Sequence, residues 1–315
     1  MKIGLIDVDH VDNLKNCFPN LVLMKLAAWH KLKGDTVEWY DPMFSERMDK
    51  VYMSKVFSFS PDYEYYINAD EIIQGGSGYN IQVINGKEVF NKSNDIWLPY
   101  EIEHIYPDYS MYGITDTAYG FMSRGCPRGC GFCVVGEKEG LRSYKVADLS
   151  EFWNGQKYIE LLDPNTLACS EWENILQQLI DSGAWVNFNQ GVDIRLMTKE
   201  KAEMMKNVKV KGVHFAWDRW QDKRLITRKL NEFKEITGWG RSKVSVYVLC
   251  NYDTTMEQNL ERINFLKSLD FNPYVMLYNK ESLPKGHELR KLQRYVNNKF
   301  VFWSCNSFEE YMKAN

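Results

Sequence analysis

Residues 118–133, AYGFMSRGCPRGCGFC, form an apolar strand-like run that leads directly into a loop with three cysteines. The cysteines have the spacing Cys126-x3-Cys130-x2-Cys133, with proline, arginine, glycine and one phenylalanine between them. The chain has seven cysteines, and the others are scattered through apolar segments, at Cys17, Cys169, Cys250 and Cys305. An odd and scattered set argues against the disulfide framework of a secreted protein. The crowding of three thiols into one loop therefore indicates a chemical role for that loop.

The composition limits the class of protein. The chain has 315 residues, of which 44% are hydrophobic and 26% charged, values typical of a globular protein with one large or two smaller α/β domains. No window holds the roughly 18 consecutive apolar residues of a membrane span, and the start, MKIGLIDVDH, reads as a strand rather than a secretory signal. We therefore expect a cytoplasmic protein with no membrane partner. The net charge of −3 gives no whole-chain argument for nucleic acid.

Strand-like and helix-like segments alternate regularly after residue 111. KYIELLD, AWVNFNQ, KGVHFAW, KVSVYVLC and NPYVMLY are each followed by a segment with helical spacing of apolar residues. With AYGFMS in front, they make about six β/α units. Because such crossovers are right-handed, the units should curl into a full or partial barrel with functional groups at the carboxyl ends of its strands. Ser170 with Glu173, and Thr254 with Glu257, have capping-box spacing at two of the helix starts.

The first 110 residues have a different rhythm. KIGLIDV predicts a strand, LVLMKLAAWHKLKGD a helix that stops at Gly34, and TVEWYDP a second strand. Residues 80–110 read as a hairpin and a tyrosine-rich connector. The predicted fold class is α/β, with a Rossmann-like domain over residues 1–110, a partial (β/α)6 barrel over 111–284 and a helical extension over 285–315.

Three kinds of site fit the cysteine spacing. A structural zinc site would need a fourth ligand, usually from a second CxxC or a histidine pair, and the five histidines of the chain are spread out. A catalytic thiol pair would not need the third cysteine. An iron–sulfur cluster suits thiolate ligands, although electron-transfer clusters normally have four cysteines. Three thiolates on a four-iron cluster would leave one iron open to an exogenous ligand.

The loop resembles that of the radical S-adenosylmethionine (SAM) superfamily, in which CxxxCxxC has an aromatic residue before the last cysteine and follows the first strand of a β/α repeat. SRGCPRGCGFC is similar to the branch with an N-terminal cobalamin-binding-type domain. The resemblance implies a [4Fe-4S] cluster on Cys126, Cys130 and Cys133, shielded by Phe132. It also implies an oxygen-sensitive enzyme that cleaves SAM reductively to a 5′-deoxyadenosyl radical, which abstracts hydrogen from a substrate, and an electron donor such as flavodoxin or ferredoxin.

Polar residues cluster where the predicted strands end. In the family that the loop resembles, the second strand contacts the SAM amino group, the third and fourth contribute contacts to its carboxylate and ribose, and the last strands hold the adenine. The candidate cofactor-binding residues, besides Phe132, are Asp163, Asn165, Gln190, Arg195, Asp218, Asn251 and Tyr278. The glycine-rich fifth-strand signature of the family is replaced by VYVLCNYDTT. The alternative for each candidate is a strand-end side chain that caps the next helix.

The same branch raises the question of cobalamin. Its first-strand loop usually reads Asp-x-His-x-x-Gly, and here DVDHVDN retains His10 but neither the aspartate spacing nor the glycine. GGSG at residues 75–78 resembles a later glycine pair of such domains, but a glycine cluster that ends a strand is more often a turn. We therefore expect a degenerate domain without cobalamin, with a cobalamin-dependent radical SAM methyltransferase as the alternative.

Residues 199–243 have a marked excess of positive charge. They hold 13 Lys and Arg against 6 Asp and Glu, and Trp217, Trp220 and Trp239 are interleaved with them. This pattern would suit RNA or another polyanion, and makes a non-catalytic metal-bound module that binds RNA or a protein partner a further alternative. Such charges are more often the solvated outer faces of helices, which is the interpretation we favour.

Overall fold

Two separate parallel sheets organise the chain in the computed structural model, which describes residues 1–11, 18–84 and 87–314. The first sheet has four strands and the second has six. The predicted α/β class is confirmed at this level, with parallel strands in both halves. Cys17 and the last residues of the DVDHVDN loop lie outside the described part of the chain.

The four-stranded sheet is built from the amino-terminal residues. Its elements are β1 (Lys2–Asp7), α1 (Leu21–Leu32), β2 (Thr36–Trp39), β3 (Met48–Ser54) and β4 (Ala69–Gly75). The strands are parallel and lie in the order β2-β1-β3-β4. The strand order reverses direction between β1 and β3, and ligands of open α/β sheets bind outside the carboxyl ends of the strands at such a point.

Helix α1 covers one face of this sheet, and irregular segments cover the other. Ile3 of β1 packs against α1, where Leu23 is fully buried. On the opposite face, Val51 of β3 packs with side chains of residues 55–68. Residues 40–47 and 55–68, which connect β2 to β3 and β3 to β4, contain no helix. The amino-terminal layer is therefore a parallel sheet with fewer helices than a doubly wound fold normally carries.

A connector with short elements joins the two sheets. It holds α2 (Ser77–Asn80), β5 (Ile81–Ile84), β6 (Lys87–Phe90) and α3 (Tyr100–Glu103). Strands β5 and β6 pair antiparallel, which confirms the predicted hairpin. Its turn, at residues 85–86, lies outside the described part of the chain.

The second half of the chain contains the six-stranded sheet and its helices. In chain order the elements are β7 (Thr117–Gly120), β8 (Ser123–Arg124), α4 (Val135–Glu139), β9 (Tyr144–Lys145), β10 (Tyr158–Leu161), α5 (Trp172–Ser182), β11 (Trp185–Val192), α6 (Lys199–Asn207), β12 (Val210–Ala216), α7 (Lys223–Thr237), β13 (Val244–Cys250), α8 (Met256–Ser268), β14 (Asn272–Leu277), α9 (Glu288–Asn297), α10 (Lys299–Ser304) and α11 (Phe308–Ala314). The sheet order is β14-β13-β12-β11-β10-β7, and every pair is parallel. None of the described helices is long and apolar enough to cross a membrane.

The two faces of the six-stranded sheet differ in composition. Side chains of one face, such as Val213, Phe215 and Val246, are fully buried in the main hydrophobic core. The opposite face carries polar and aromatic side chains that are half-buried or exposed, namely Tyr119, Tyr158, Glu160, Asn187, His214, Tyr247 and Tyr274. All-parallel sheets ordinarily have both faces covered by apolar packing. The second face is therefore suited to contact a polar ligand rather than a further layer of helices.

One hydrophobic core extends across the predicted domain boundaries. Leu292 of α9 and Phe302 of α10 belong to the same buried cluster as Val275 of β14, and so does Met24 of α1. The C-terminal helices and part of α1 therefore pack with the second sheet. The division at residues 110 and 284 stays a prediction.

Both predicted capping boxes are wrong, one because the helix has no capping box and the other in its position. Helix α5 begins at Trp172, and its N-cap residue makes no side-chain hydrogen bond to the helix. Helix α8 has its capping box one residue later than predicted, formed by Thr255 and Gln258. The hydroxyl of Thr254 donates instead to Asn259 Oδ1 at 2.8 Å, because a buried polar cluster takes that side chain.

Candidate metal and cofactor site

A short antiparallel ladder closes the cysteine loop at its base. Strands β8 and β9 pair with each other, and the N–H of Cys126 donates to the carbonyl of Gly140 at 3.2 Å. Gly125 has a φ of +79°, and a Cβ there would lie 2.1 Å from the carbonyl oxygen of Arg142. A side chain does not fit at this crossing of two chain segments, so glycine is required there.

The three thiols follow one another around this loop. Cys126 and Cys130 are half-buried and Cys133 is exposed, and the N–H of Cys133 donates to the carbonyl of Cys130 at 3.0 Å. Burial, and after it the nearby carboxylate of Asp218, raises the pKa of the Cys130 thiol. Metal binding would displace the thiol protons, as it does in other thiolate sites. Within the described residues, no group of three or more Cys, His, Asp or Glu side chains is arranged to hold a metal ion.

Asp163 ties the end of β10 to the start of the cysteine loop. Its carboxylate accepts hydrogen bonds from the N–H of Met122 at 2.7 Å and from the N–H and hydroxyl of Ser123 at 2.9 and 2.5 Å. The hydroxyl of Thr166 donates to it at 3.3 Å. Burial raises the pKa of Asp163 to about 6, while these hydrogen bonds act in the opposite direction. The sequence predicts that Asp163 contacts the cofactor, whereas in the structure both of its carboxylate oxygens accept hydrogen bonds from the start of the cysteine loop.

Asn165 lies against the first cysteine of the loop. Its Nδ2 donates to Cys126 Sγ at 3.5 Å, and the residue is 2% exposed. Its Oδ1 is buried and has no hydrogen-bond partner among the described residues. A buried acceptor without a donor costs about 1–3 kcal/mol. This atom is therefore available to an ammonium or hydroxyl group of a ligand beside Cys126.

Ion pairs connect the cysteine loop to the ends of β11 and β12. Arg128 of the loop pairs with Asp193, which also accepts from Arg195 Nε at 2.8 Å. The Nη1 of Arg195 donates to Asp222 at 2.7 Å. Burial raises the pKa of Asp218 to about 6, and the positive charge of Arg195 opposes this shift. The predicted residues Arg195 and Asp218 therefore lie close enough to interact at this edge of the sheet.

Aromatic rings connect the loop to the ends of β13 and β14. The ring of Phe132 lies 5.1 Å from that of Tyr252 in an edge-to-face arrangement, and Tyr252 lies 5.0 Å from Tyr278. Asn251 has a φ of +67° and donates from Nδ2 to the carbonyl of Tyr278 at 2.8 Å. The structure thus brings the predicted residues Phe132, Asn251 and Tyr278 together beside the cysteine loop.

Gln190 is the predicted residue that does not join these groups. It is exposed near the end of β11, where the pairing with β12 shifts register between Phe188 and Val192. Gly191 has a φ of +114° in the same segment. Bulges of this kind are common beside binding sites because they redirect side chains. Gln190 therefore lies on a bulge and makes no side-chain hydrogen bond within the described residues.

Arg262 supports this edge and is not found by sequence reasoning. It is fully buried in α8 and donates to the carbonyl oxygens of Leu249, at 2.8 Å, and of Trp217. Its Nη2 also donates to Asn259 Oδ1 at 2.5 Å. The guanidinium therefore ties the ends of β12 and β13 together. A single arginine on an amphipathic helix carries no signal in the sequence, although the buried pair Asn259 and Arg262, three residues apart, shares one helix face.

The donor types at this edge are those that a thiolate-bound cluster with a small polar ligand would use, although the three thiols are not gathered into a metal-holding group among the described residues. One loop supplies three thiols, which are soft metal ligands. A ligand next to Cys126 would meet the unpaired acceptor Asn165 Oδ1. Charged groups of both signs, Arg195 and Asp218, lie at the same edge, and an amino-acid-like zwitterion would need one group of each sign.

The carboxyl edge of the four-stranded sheet is a second polar region. His10 Nδ1 lies 3.1 Å from Asp7 Oδ2, which also accepts from the hydroxyl of Tyr112 at 2.7 Å. Gly76 has a φ of +101°, and a Cβ there would lie 2.2 Å from the carbonyl oxygen of Lys55. The glycine cluster therefore forms a turn packed on the chain after β3. A cavity of about 350 Å³ lies beside it, lined by parts of α1, β3 and β4.

The basic segment 199–243 has its tryptophans and several of its cations engaged in internal contacts. Trp217 is fully buried, and Trp220 and Trp239 each lie under a lysine of the same segment, 4.6 and 4.8 Å from the ring centroids. Ion pairs of the segment join Lys211 to Glu160, Lys223 to Glu261, Arg228 to Glu232 and Arg241 to Asp270. These contacts support the interpretation of the segment as outer faces of helices.

No protein-family model matches the chain, and no curated protein matches it. The function must therefore be inferred from the residues and their geometry. In the sequence, the resemblance to the radical SAM superfamily rests on the spacing of the cysteine loop and on its position after the first predicted strand of the β/α repeat.

Proposed function

We propose that the chain is a radical SAM enzyme, in which a [4Fe-4S] cluster on Cys126, Cys130 and Cys133 supports reductive cleavage of S-adenosylmethionine to a 5′-deoxyadenosyl radical that abstracts hydrogen from a substrate. The observation that carries the proposal is a convergence. The loop with three thiols follows β7 and contacts residues at the ends of β10, β11 and β13. Active sites of β/α folds lie at this edge of the sheet.

We also propose that the second half of the chain forms a partial (β/α)6 barrel. The strand order of the six-stranded sheet follows the chain order, and helices follow β10 to β14, which supports a partial (β/α)6 barrel. A polar and aromatic face opposite the helices is what the inside of such a barrel would present to a substrate. The parallel order β2-β1-β3-β4 supports a degenerate Rossmann-like domain in the first half.

The residues around the loop would divide the work of binding SAM. Asn165 Oδ1 would accept a hydrogen bond from the amino group, beside Cys126. Arg195, which Asp193 and Asp222 hold in place, would attract the carboxylate. Tyr278, which accepts from the side chain of Asn251 through its carbonyl, would lie near the adenine.

When bound, the cluster supplies the electron that breaks a carbon–sulfur bond of SAM, and the protein supplies orientation and exclusion of water. Phe132 and Tyr252 form an aromatic wall next to the last cysteine. Asp163 fixes the start of the loop through the N–H groups of Met122 and Ser123. The proposal further includes an electron donor such as flavodoxin or ferredoxin and a reducing, cytoplasmic environment.

The first experiment measures SAM cleavage. The protein is reconstituted with iron and sulfide without oxygen, reduced with dithionite and mixed with SAM, and 5′-deoxyadenosine is quantified by chromatography. We expect the wild-type protein to form this product. The triple variant Cys126→Ala, Cys130→Ala, Cys133→Ala should retain neither iron nor activity, whereas the matched variant Cys305→Ala should retain both.

Metal content separates this proposal from the structural alternative. Iron and sulfide bound in a ratio near unity, lost in the triple variant, would support the cluster independently of turnover. Zinc in the freshly purified protein, with no 5′-deoxyadenosine after reconstitution, would contradict the enzyme proposal. That outcome would leave a non-catalytic metal-bound module that binds RNA or a protein partner.

A cobalamin-dependent radical SAM methyltransferase is the second candidate, because of one observation. A cavity of about 350 Å³ lies between α1 and the carboxyl ends of β3 and β4, and the pair His10 and Asp7 lies at the end of the neighbouring strand β1. Against it, Gly76 is explained by its packing on Lys55. Purification in the presence of hydroxocobalamin followed by an optical spectrum decides between the two, since retained corrinoid absorption would favour the methyltransferase.

A further inference from the structure

A basic groove lies at the edge of the six-stranded sheet formed by β14. It has a volume of about 580 Å³ and lies between Tyr274 of β14 and residues of α9. Its charged lining residues, within the described part of the chain, are all cations, namely Lys280, Lys285, Arg290 and Arg294. The carboxylate of Glu281 lies 3.9 Å from the guanidinium of Arg290, and the Glu281 side chain is 92% exposed. The groove therefore presents a concentrated positive charge.

Arg290 assembles the groove. Its Nε donates to the carbonyl of Leu283 at 2.9 Å, and its Nη2 donates to the carbonyl of Lys280 at 2.7 Å. These bonds fold the segment after β14 back onto α9, so that Lys280 and Lys285 lie in the same groove as Arg294. Bringing like charges together is unfavourable unless an anion neutralises them. The arrangement therefore favours a ligand with more than one negative charge.

Side-chain amides of α9 satisfy the backbone of β14 at this edge. The N–H of Val275 donates to Asn297 Oδ1 at 2.8 Å, and its carbonyl accepts from Gln293 Nε2 at 3.1 Å and Asn297 Nδ2 at 3.0 Å. A strand edge that is already hydrogen-bonded cannot take up another strand at that point. The cations, rather than the strand backbone, are therefore the groups of the groove that a ligand would use.

An aromatic row begins in the groove and continues along the polar face of the sheet. Tyr274 is 43% exposed, and its ring lies 5.8 Å from that of Tyr247. Tyr247 stacks in turn on His214, with ring centroids 5.3 Å apart and planes 12° from parallel. Bases stack on exposed aromatic rings with a gain of about 1–3 kcal/mol per base. A ligand whose phosphates occupy the groove can thus lay a base against Tyr274.

We propose that this groove binds the phosphates of a nucleotide ligand, present either in a single-stranded nucleic acid or as a free nucleotide, with a base against Tyr274. The local sequence agrees, since residues 274–299 hold six Lys and Arg against two Asp and Glu. An acidic protein would match the charge of the groove but would offer no base to stack on the exposed ring of Tyr274. The inference goes beyond the proposed function, because binding in the groove requires neither the cysteine loop nor SAM.

The test is a binding titration with the full-length chain. Fluorescence anisotropy of a short labelled single-stranded RNA is followed at salt concentrations from about 50 to about 200 mM, where each phosphate contact contributes about 0.7 to the slope of log affinity against log salt. We expect measurable binding with a steep slope. Competition by ATP distinguishes the two sources: displacement at micromolar ATP assigns the groove to a free nucleotide, and displacement only by unlabelled RNA assigns it to a strand.

Two kinds of variant measure the contribution of the groove cations to binding separately from that of the Tyr274 ring. Lys285→Gln with Arg294→Gln should weaken binding by about tenfold or more and lower the salt slope by about 1.4, since two phosphate contacts are lost. Tyr274→Leu should weaken binding by about tenfold and leave the slope unchanged, because stacking does not depend on salt in this way. Neither change touches Arg290, which holds the groove together.

The matched controls change the same residue types outside the groove. Lys206→Gln with Arg224→Gln removes two exposed cations of the segment 199–243, and Tyr65→Leu removes an exposed tyrosine of the amino-terminal half. We expect each control to change affinity less than about twofold. Equal weakening by the two charge variants, displacement of RNA by polyglutamate as readily as by RNA, or no binding of either RNA or ATP would overturn the proposal. SAM cleavage is unaffected by any of these results, so the two proposals fail separately.

Discussion

The two sheets of this chain have parallel strands in common but are held together in different ways. In the six-stranded sheet, helices cover one face, and the other face carries polar and aromatic side chains. In the four-stranded sheet, α1 covers one face and residues 55–68 pack on the other without a helix. In the six-stranded sheet, helices on one face form the core, so the other face stays available for a ligand. In the four-stranded sheet, which has fewer helices, irregular segments pack on the second face instead.

The carboxyl edges of the two sheets are also tied by different groups. Arg262, a buried cation from α8, binds the strand ends of the six-stranded sheet from within. Tyr112, from the segment that precedes β7, binds Asp7 at the end of β1. Arg262 joins two strand ends of the same sheet, whereas Tyr112 joins the first sheet to the segment that leads into the second. Removal of these two side chains should therefore lower the free energy of unfolding by different amounts.

The largest effect is expected from Arg262→Met. The change leaves the carbonyls of Leu249 and Trp217 buried without a donor, and each such group costs about 1–3 kcal/mol. We expect the free energy of unfolding to fall by about 4 kcal/mol, measured by urea denaturation. Arg228→Met is the control, because this exposed cation pairs with Glu232 on the surface of α7, and a loss within about 0.5 kcal/mol is expected there. Equal losses in the two variants would contradict the role of Arg262 in joining the two strand ends.

The next prediction compares two glycines, one in the first strand of each sheet, at which an added Cβ would lie too close to a neighbouring side chain. A Cβ at Gly120 of β7 would lie 2.3 Å from the ring of Phe152, which is 3% exposed and cannot move freely. A Cβ at Gly4 of β1 would lie 2.9 Å from a methyl group of Val51. We expect Gly120→Ala to lower the free energy of unfolding by about 3 kcal/mol and Gly4→Ala by about 1 kcal/mol. Thermal denaturation of the two variants checks this order, and a reversed order would mean that the second sheet adapts more easily.

A smaller effect is expected from Tyr112→Phe, at the junction of the two regions. The hydroxyl donates to Asp7 Oδ2 at 2.7 Å and accepts from the N–H of Asn20 at 3.1 Å. Burial raises the pKa of Asp7 and the hydrogen bond from Tyr112 lowers it, so the hydroxyl stabilises the charged carboxylate. We expect a loss of about 1.5 kcal/mol at neutral pH and a smaller loss in acid, where Asp7 is protonated. Urea denaturation at both pH values tests this, with the exposed Tyr100→Phe as a control that should show no loss.

The sequence predicts the order of strands and helices well, because hydrophobic periodicity records burial. Segments such as KVSVYVLC alternate or run apolar for the length of one strand, and each was followed by a helix in the structure. The residue at which α8 starts is harder to predict from the sequence, since Thr254 and Thr255 are both suitable N-cap residues. The choice depends on Asn259, which binds Thr254 across the turn and is not recognisable as buried from its type.

The candidate site shows the same limit. The cysteine spacing identifies the loop, and strand-end position finds Asn165, Arg195 and Asp218, which lie near it in the structure. Strand-end position also selects Asp163, whose oxygens are taken by the loop backbone. Which of two strand-end side chains remains unpaired depends on the neighbours that the fold brings to it. The basic groove is missed for a related reason, because Lys280 and Arg294 become neighbours only when the segment between them folds back.

The smallest predicted effect concerns Lys299, which follows α9 near the basic groove. Its Nζ donates to the carbonyl of Pro273, and burial lowers its pKa to about 8, whereas an unfolded lysine titrates near about 10.4. The unfolded chain therefore binds this proton more tightly than the folded chain. The stability contributed by this group is fully present above about pH 10.4 and is lost as the pH falls through about 8. Lys299→Met removes the titration, so wild type should gain about 1 kcal/mol relative to the variant between about pH 8 and about pH 10, after allowance for partial solvent screening. Urea denaturation of both proteins across this range measures the gain, and a constant difference would show that the Lys299 ammonium stays hydrated in the folded chain.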